Sequence, residues 1–260
     1  MRRGGATAGV GGAMAGAGGA TAGASGAMRR GDGAAVRADL HIHSTVSDGS
    51  LTMEEIADRS IEKGMDVIAI TDHDTVSHFY HLPVRDGLQV IPGIEISAYD
   101  KGLRCKVHIL GYCIKDPEGL DQQVEPIRMD RHKNCLRQIS ILERAGYSLP
   151  LEELRKAEGI YIYKQHIMEY LCRTGQVPEM FGEFYQRVFK HGGICDFDIA
   201  YMDAVSAVQN IKRAGGLAVL AHSGQQQNFE LIPVLERVLK FIPAICTPHF
   251  AVYLAQIHLT

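Results

Sequence analysis

The run Val67-Ile68-Ala69-Ile70 is apolar at every position and stops abruptly at Thr71-Asp72-His73-Asp74. A strand wetted on one side alternates polar with apolar residues, so an unbroken apolar run predicts a strand covered on both faces by helices. The ionisable residues that follow are costly to bury without partners. They are expected at the strand's carboxyl end, where α/β folds place their sites.

The same rhythm recurs along the chain. Strands are expected at Asp39 to His43, Asp66 to Thr71, Leu88 to Ser97, Lys106 to Tyr112 and Leu217 to His222. Their alternation with helical patterns predicts a parallel sheet or barrel. Thr52-Met53-Glu54-Glu55 is a capping box that opens a helix ending at Gly64. The stretch from Val76 to Gly87 is short and carries Pro83 where a full helix would fit.

From 120 to 215 the pattern turns helical. Helices are expected at 121–145, 150–157, 164–174, 180–190 and 201–214, with breaks at Gly146, Gly159, Gly175 and Gly192-Gly193. This segment reads as a helical insertion, a substrate-side cap that divides the barrel into residues 37–119 and 216–260. A further helix is expected from Asn228 to Lys240.

Residues 1–36 are almost entirely Gly, Ala, Ser and Thr, too poor in apolar surface to offset chain entropy, and are expected to be a disordered leader. Met1-Arg2-Arg3-Gly4 is echoed by Met28-Arg29-Arg30-Gly31, which raises Met28 as a second candidate start.

With 260 residues, 46% of them hydrophobic, one domain of α/β-barrel size accounts for most of the chain. A net charge of -3 argues against holding duplex DNA by bulk electrostatics. No apolar run approaches the ~20 residues of a membrane helix, and the Gly/Ala tract lacks the core of a signal peptide. Cys105, Cys113, Cys135, Cys172, Cys195 and Cys246 include no CxxC pair, so they read as thiols in a reducing compartment, the cytoplasm.

The chemistry-bearing residues fall at strand ends. His41 and His43 are one residue apart in a strand, so both project from the same face and can chelate one metal. Asp48 follows in a loop from which a carboxylate can swing back to a second ion. In Thr71-Asp72-His73-Asp74, Asp72 reads as an orienting carboxylate; an acidic cap of the next helix could explain Asp74 but not the whole cluster. Glu95, between two isoleucines, is hard to explain by solvation and reads as a bridge between metals. His108 and His222 each close on an apolar strand. Alone, either is more readily a satisfied core residue; jointly they suggest a metal cluster. Imidazole with carboxylate and no thiolate suits Mn, Zn or Fe. Arg128 and Arg131, three apart on one helical face, could fork onto phosphate oxygens, whereas Arg137 and Lys164 read as a solvated face.

Five segments in order, Asp39-Leu40-His41-Ile42-His43-Ser44 with Ser47-Asp48-Gly49, Thr71-Asp72-His73-Asp74, Pro92-Gly93-Ile94-Glu95-Ile96-Ser97, His108-Ile109-Leu110-Gly111-Tyr112 and Ala221-His222, resemble the motifs of the polymerase and histidinol phosphatase (PHP) family over residues 38–235. They are most similar to its branch of nucleotide phosphatases and small-RNA exonucleases. The resemblance implies a distorted (βα)7 barrel with two or three divalent metal ions. By that likeness His41, His43 and Glu95 hold the first, Asp48 and His73 the second, and Glu95, His108 and His222 a third. Asp72, Arg131 and His166 would serve catalysis, and Arg128, Arg131 and His166 would bind substrate. The implied reaction is attack of metal-activated hydroxide on a phosphate ester, in a small phosphorylated nucleotide such as a nucleoside 3′,5′-bisphosphate or in short single-stranded RNA.

Two features depart from the family. Its terminal Gly-Ser-Asp-x-His motif has no counterpart, and the text after Lys240, including His249, no longer resembles it. A barrel incomplete at its C-terminal end is therefore expected, with exposed edges that favour association or poor stability. The alternative reading is a catalytically impaired module that binds metal or a phosphorylated ligand. A metal-dependent amidohydrolase shares the HxH start but fits the order of the later motifs less well.

Overall fold

Three parallel strands begin the sheet, and local sequence explains where each starts and stops. The computed structural model describes residues 35–154, 161–226 and 228–239. Strand β1 (Ala38–Ile42) pairs with β2 (Val67–Ile70), and β2 pairs with β3 (Gln89–Asp100), both in parallel. Between β1 and β2 lies helix α1 (Met53–Glu62), whose capping box is present as expected: Thr52 accepts from the Glu55 amide and the Glu55 carboxylate accepts from the Thr52 amide. Ile68, Ala69 and Ile70 are fully buried, with α1 residues Met53, Ile56 and Ala57 in the cluster that covers Ile68 and Ile70. The short stretch before Pro83 folds as a single 3₁₀ turn, Ser77–Tyr80.

Strand β4 (Cys105–Tyr112) departs from the parallel rhythm. It folds back on β3 as an antiparallel hairpin, with Ser97 opposite His108 and Glu95 opposite Leu110. The turn between them holds Arg104 at φ 54. The physical reason is connection length: four residues can close a hairpin but cannot make the crossover that a parallel pair requires. Strand β5 (Met202–Asp203) adds to β3 in parallel, and β6 (Leu217–Leu220) pairs antiparallel with β4. The sheet order among the described residues is β1-β2-β3-β4-β6.

Helix α2 (Pro117–Arg144) begins four residues earlier than the periodicity predicts. Asp116 caps it by accepting from the Gly119 amide at 2.9 Å, and Pro117 fills the first turn, where its missing N–H costs nothing. The remaining helices are α3 (Leu151–Leu154), α4 (Lys164–Arg173), α5 (Glu183–Phe189), α6 (Ala204–Arg213), α7 (Ser223–Gln226) and α8 (Ile232–Leu239), with a 3₁₀ turn at Phe229–Leu231 before the last.

Two separate cores divide the helical segment differently from its sequence boundaries. Leu120, Val124 and Ile127 of α2 and Ala204, Ala207, Val208 and Ile211 of α6 pack with Ile94, Ile96 and Ile109 beneath the sheet. Each buried isoleucine contributes roughly 1.5–3 kcal/mol. A second core, from Cys135 to Cys195, is built by the later half of α2 with α3, α4 and α5. The ends of the 120–215 segment thus share the sheet's core, and the independent helical body lies between them. Gly111 allows α6 to lie close on β4, since a Cβ there would sit 2.9 Å from Ile94 Cγ2 and 3.1 Å from Ile211 Cγ1.

The leader, the second start at Met28, the end of the 150–157 helix and the tail carrying His249 fall wholly or largely outside the described residues.

Candidate metal centre

The carboxylate of Glu95, 1% exposed, stands at the middle of five imidazoles. Its Oε2 lies 3.2 Å from His41 Nε2, 3.0 Å from His43 Nε2 and 3.3 Å from His73 Nδ1. Its Oε1 lies 3.0 Å from His108 Nδ1 and 2.9 Å from His222 Nε2. Asp48 approaches from the loop after β1, 3.4 Å from His43 Nδ1 and 3.8 Å from His73 Nε2. A cavity of about 550 Å³ opens over this cluster, lined by the five histidines, Glu95 and Gln226.

Strand geometry explains the convergence. His41 is the penultimate residue of β1, His73 follows β2, and His222 follows β6 at φ 27. Glu95 and His108 belong to the hairpin, two rungs apart on the same face, since opposed residues of a pair point to one side.

Electrostatics within the cluster are strongly perturbed. Burial alone would raise the Glu95 carboxyl, but the charge of His73 and hydrogen bonds from His108, His222 and His41 hold it well below the ordinary range. Burial opposes protonation of His43, yet its hydrogen bond to Glu95 and the charges of Asp48, Glu95 and Asp72 outweigh this and push it up to about 9. Burial drives His73 the other way, well below its ordinary value.

The donor set fits divalent cations. Three groups bring ligand atoms within 4.8 Å of one another: His41, His43 and Glu95; His43, Asp48 and His73; His73, Glu95 and His108. Ring nitrogens meet at 3.1 Å between His41 and His43 and at 3.2 Å between His108 and His222. Five nitrogens thus crowd two carboxylate oxygens. The buried Nδ1 atoms of His73 and His222 make no hydrogen bond among the described residues. Imidazole and carboxylate without thiolate is a donor set of Mn, Zn or Fe sites.

Around the cluster lies a shell that the sequence reading resolves only in part. Asp72 is fully buried and accepts from the Ser44 amide (2.8 Å), the Ser44 hydroxyl (2.7 Å) and the Ser47 hydroxyl (2.6 Å). It therefore holds the loop that carries His43 and Asp48, and does not line the cavity. His78, absent from the sequence reading, is buried with Nε2 at 3.1 Å from the Ile70 carbonyl and 2.9 Å from that of Gly93, which ties β2 to β3 below the site.

Asp74 does not cap the next helical turn, whose cap position is Val76. The aspartate sits buried at φ 54, accepting from the Ser97 amide and from Arg131 Nη2, both at 2.7 Å. The same Nη2 reaches the hydroxyl of Ser97, two residues beyond Glu95 on β3, at 2.7 Å.

Two expected substrate residues are turned to other tasks. Arg128 is 6% exposed; its Nη1 and Nη2 fork onto Asp121 at 2.8 and 3.0 Å, and Nη1 also reaches the Asp74 carbonyl at 2.7 Å. Both terminal nitrogens of Arg128 are thus engaged with Asp121, whereas the contacts of Arg131 run through Nη2. His166 is 2% exposed, accepts from the Tyr163 amide at 3.3 Å at the start of α4, and lines a separate cavity of about 70 Å³ with Glu153 and Arg173. Its place is in the helical body rather than at the metal cavity.

Gln226, which lines the cavity and accepts from the His108 amide at 3.2 Å, had no signal in the sequence beyond following Ala221-His222. Ser44 and Ser47 did have one, being hydroxyls interleaved with ligand-type residues in a single loop.

Comparison with known proteins agrees with this geometry. The PHP domain pattern matches residues 39–219. A phosphoribosyl 1,2-cyclic phosphate 1,2-diphosphodiesterase of Eggerthella lenta is 41% identical over 204 residues, covering 76% of this chain and 78% of that one. A 3′,5′-nucleoside bisphosphate phosphatase of Chromobacterium violaceum is 31% identical over 195 residues, 72% of this chain and 67% of its own. Among solved structures, an amidohydrolase from Chromobacterium violaceum superposes with a TM-score of 0.66 at 28% identity, covering 80% of this chain and 73% of that one. The motif order, the convergent histidines and carboxylates, and the match over most of its length make this chain a member of the PHP domain family.

Proposed function

We propose that this chain is a metal-dependent phosphoesterase acting on a nucleotide-type substrate, a nucleoside 3′,5′-bisphosphate or a short oligoribonucleotide. The observation that carries the reading is Glu95 with five imidazole nitrogens within 3.3 Å of its two oxygens. His41, His43 and Glu95 would hold one ion, Asp48 and His73 a second, and His108 and His222 with Glu95 a third. Divalent ions so held acidify water and neutralise the charge on phosphoryl oxygens.

The chain's own groups prepare that chemistry. Glu95 is kept ionised despite burial, a fixed negative charge that balances the cations of the site. Asp72, through Ser44 and Ser47, fixes the loop that presents His43 and Asp48. Arg131, its guanidinium held by Asp74 and by Ser97 on the strand that carries Glu95, would supply a preorganised positive charge for the phosphoryl group. The relatives named above favour this substrate class, since their names describe a cyclic phosphate diester and a nucleoside bisphosphate. Among the described residues no helix is long and apolar enough to cross a membrane; a cytoplasmic setting belongs to the proposal.

The test is direct. The purified full chain is analysed for metal content and assayed for phosphate release from a nucleoside 3′,5′-bisphosphate with added Mn. Two or more metals per chain, with turnover abolished in His43→Ala, support the enzyme. Stoichiometric metal without turnover overturns it in favour of a binding module.

A further inference from the structure

The single turn α7, Ser223–Gln226, ends on a side chain that the metal ligands leave unexplained. The turn closes with the Gln226 amide donating to the His222 carbonyl at 3.2 Å, which folds Gln226 back towards the end of β6. The same segment clasps the backbone of His108 from both sides. The Ala221 amide donates to the His108 carbonyl at 2.9 Å, and the His108 amide donates to Gln226 Oε1 at 3.2 Å.

The surrounding hydrogen bonds decide which end of the Gln226 carboxamide is which. Asn228, buried beside it, has Nδ2 at 3.4 Å from the Lys106 carbonyl and at 3.1 Å from Gln226 Oε1. A carbonyl only accepts, so the Asn228 atom that faces it is the donor nitrogen. Two donors, Asn228 Nδ2 and the His108 amide, therefore face one atom of Gln226, which is its oxygen. To make these bonds Asn228 leaves its own buried Oδ1 without a hydrogen bond among the described residues. Gln226 Oε1 is thus engaged by the protein twice, while Nε2, on the other branch of the planar group, has no acceptor among the described residues.

Gln226 lines the cavity of about 550 Å³ together with the five histidines and Glu95. With cations in place, the ring nitrogens and carboxylate oxygens that hold them have no N–H to offer an anion. On this lining the Gln226 amide is the donor that remains. We propose that Gln226 is a substrate-contacting residue, its Nε2 donating to a non-bridging oxygen of the phosphoryl group on the His108 and His222 side of the cavity. Asn228 is a positioning residue that fixes the carboxamide in this sense. The inference rests on the phosphoesterase reading for the nature of its ligand, and adds to it a neutral, preoriented donor.

The experiment titrates inorganic phosphate into the Mn-loaded full chain by calorimetry, with Mn content and a urea midpoint recorded for every variant. Gln226→Glu keeps an oxygen for the His108 and Asn228 donors but puts an anion where the N–H stood; Gln226→Met removes donor and acceptor together. Phosphate affinity is expected to fall about tenfold or more in both, the value of a hydrogen bond to a charged group, at unchanged Mn content. Asn228→Ala is expected to weaken phosphate binding in the wild-type background and to add little in Gln226→Met, because one residue acts through the other. Three results overturn the donor: affinity unchanged in both Gln226 variants, affinity weakened only where Mn content has changed, or no phosphate bound by the wild type. Additive effects of the two substitutions overturn the positioning role of Asn228. Turnover of a nucleoside 3′,5′-bisphosphate is measured alongside. A wild type that binds phosphate through Gln226 yet hydrolyses no ester sinks the phosphoesterase reading and leaves the contact standing.

Discussion

Glu95 Oε1 and His222 Nε2 meet at 2.9 Å across 127 residues of sequence. This contact joins the hairpin to the end of β6, so that Glu95 is shared by the His41–His43 and the His108–His222 arms of the cluster. Replacing Glu95 by Gln keeps the shape but removes the charge that balances the cations. Metal content, read by elemental analysis, is expected to fall by at least one ion per chain. Phosphatase activity is expected to drop by more than the ~100-fold typical of losing an outer partner of a ligand. Full metal occupancy in Glu95→Gln would show that the carboxylate is not shared between ions.

Asp72 acts one step further out. Asn in its place keeps one acceptor oxygen and turns an amide toward a serine hydroxyl, loosening the loop that presents His43 and Asp48. Asp72→Asn is expected to lower metal affinity by about 10–100-fold and stability by roughly 1–3 kcal/mol. Chelator competition and urea titration measure the two separately. A variant that loses stability but binds metal normally contradicts the positioning role.

The pair of Arg131 and Asp74 predicts an asymmetry between single and double substitutions. Asp74 is fully buried, so Arg131→Ala leaves a charge without its partner and is expected to cost about 3–5 kcal/mol, towards the lower end because Arg131 is 20% exposed. Arg131→Met with Asp74→Asn removes both charges and is expected to cost less than Arg131→Ala alone. Equilibrium denaturation of the three proteins decides the order.

Chelated protein is expected to show a distinctive pH response. The raised His43 imidazole contributes stability that is complete below its ordinary 6.5 and is lost as pH rises to about 9. Depression of His73 works against folding as pH falls below 6.5, where the unfolded chain takes up the proton. The lowered Glu95 carboxyl contributes stability present above 4.5 and lost as pH falls through its folded value. The urea midpoint in EDTA should therefore peak near pH 6.5 and decline towards pH 9. With Mn the alkaline decline should be reversed, because ligands must shed protons to bind. A midpoint that climbs from pH 6.5 to 9 in EDTA rules out this assignment of His43.

Much of the site was legible because its ligands sit where apolar runs stop. Val67 to Ile70 ending in Asp72-His73, and Glu95 between isoleucines, are contradictions in hydrophobicity that only a polar cluster resolves. What escaped depended on pairing at a distance. The antiparallel turn had a local signal, Asp100-Lys101-Gly102 between two alternating stretches, but the βα rhythm of the earlier strands masked it. Arg128 looked equivalent to Arg131 from helical spacing, yet Asp121, seven residues earlier on α2, captures its fork. No pattern announced that His78 would reach the carbonyls of two different strands.

The β3–β4 hairpin also bears on the order in which the protein assembles. Glu95 and His108 are only 13 residues apart, and a hairpin of this kind closes in about 1–10 μs. His41 and His222 must cross far longer loops, whose closure costs more entropy and comes later. A nascent chain would thus own an acid and one imidazole early, a weak lure for ions, and acquire its grip only when the first and last strands dock. Capture of the cation is then a late checkpoint, tightening only on molecules whose topology is already correct.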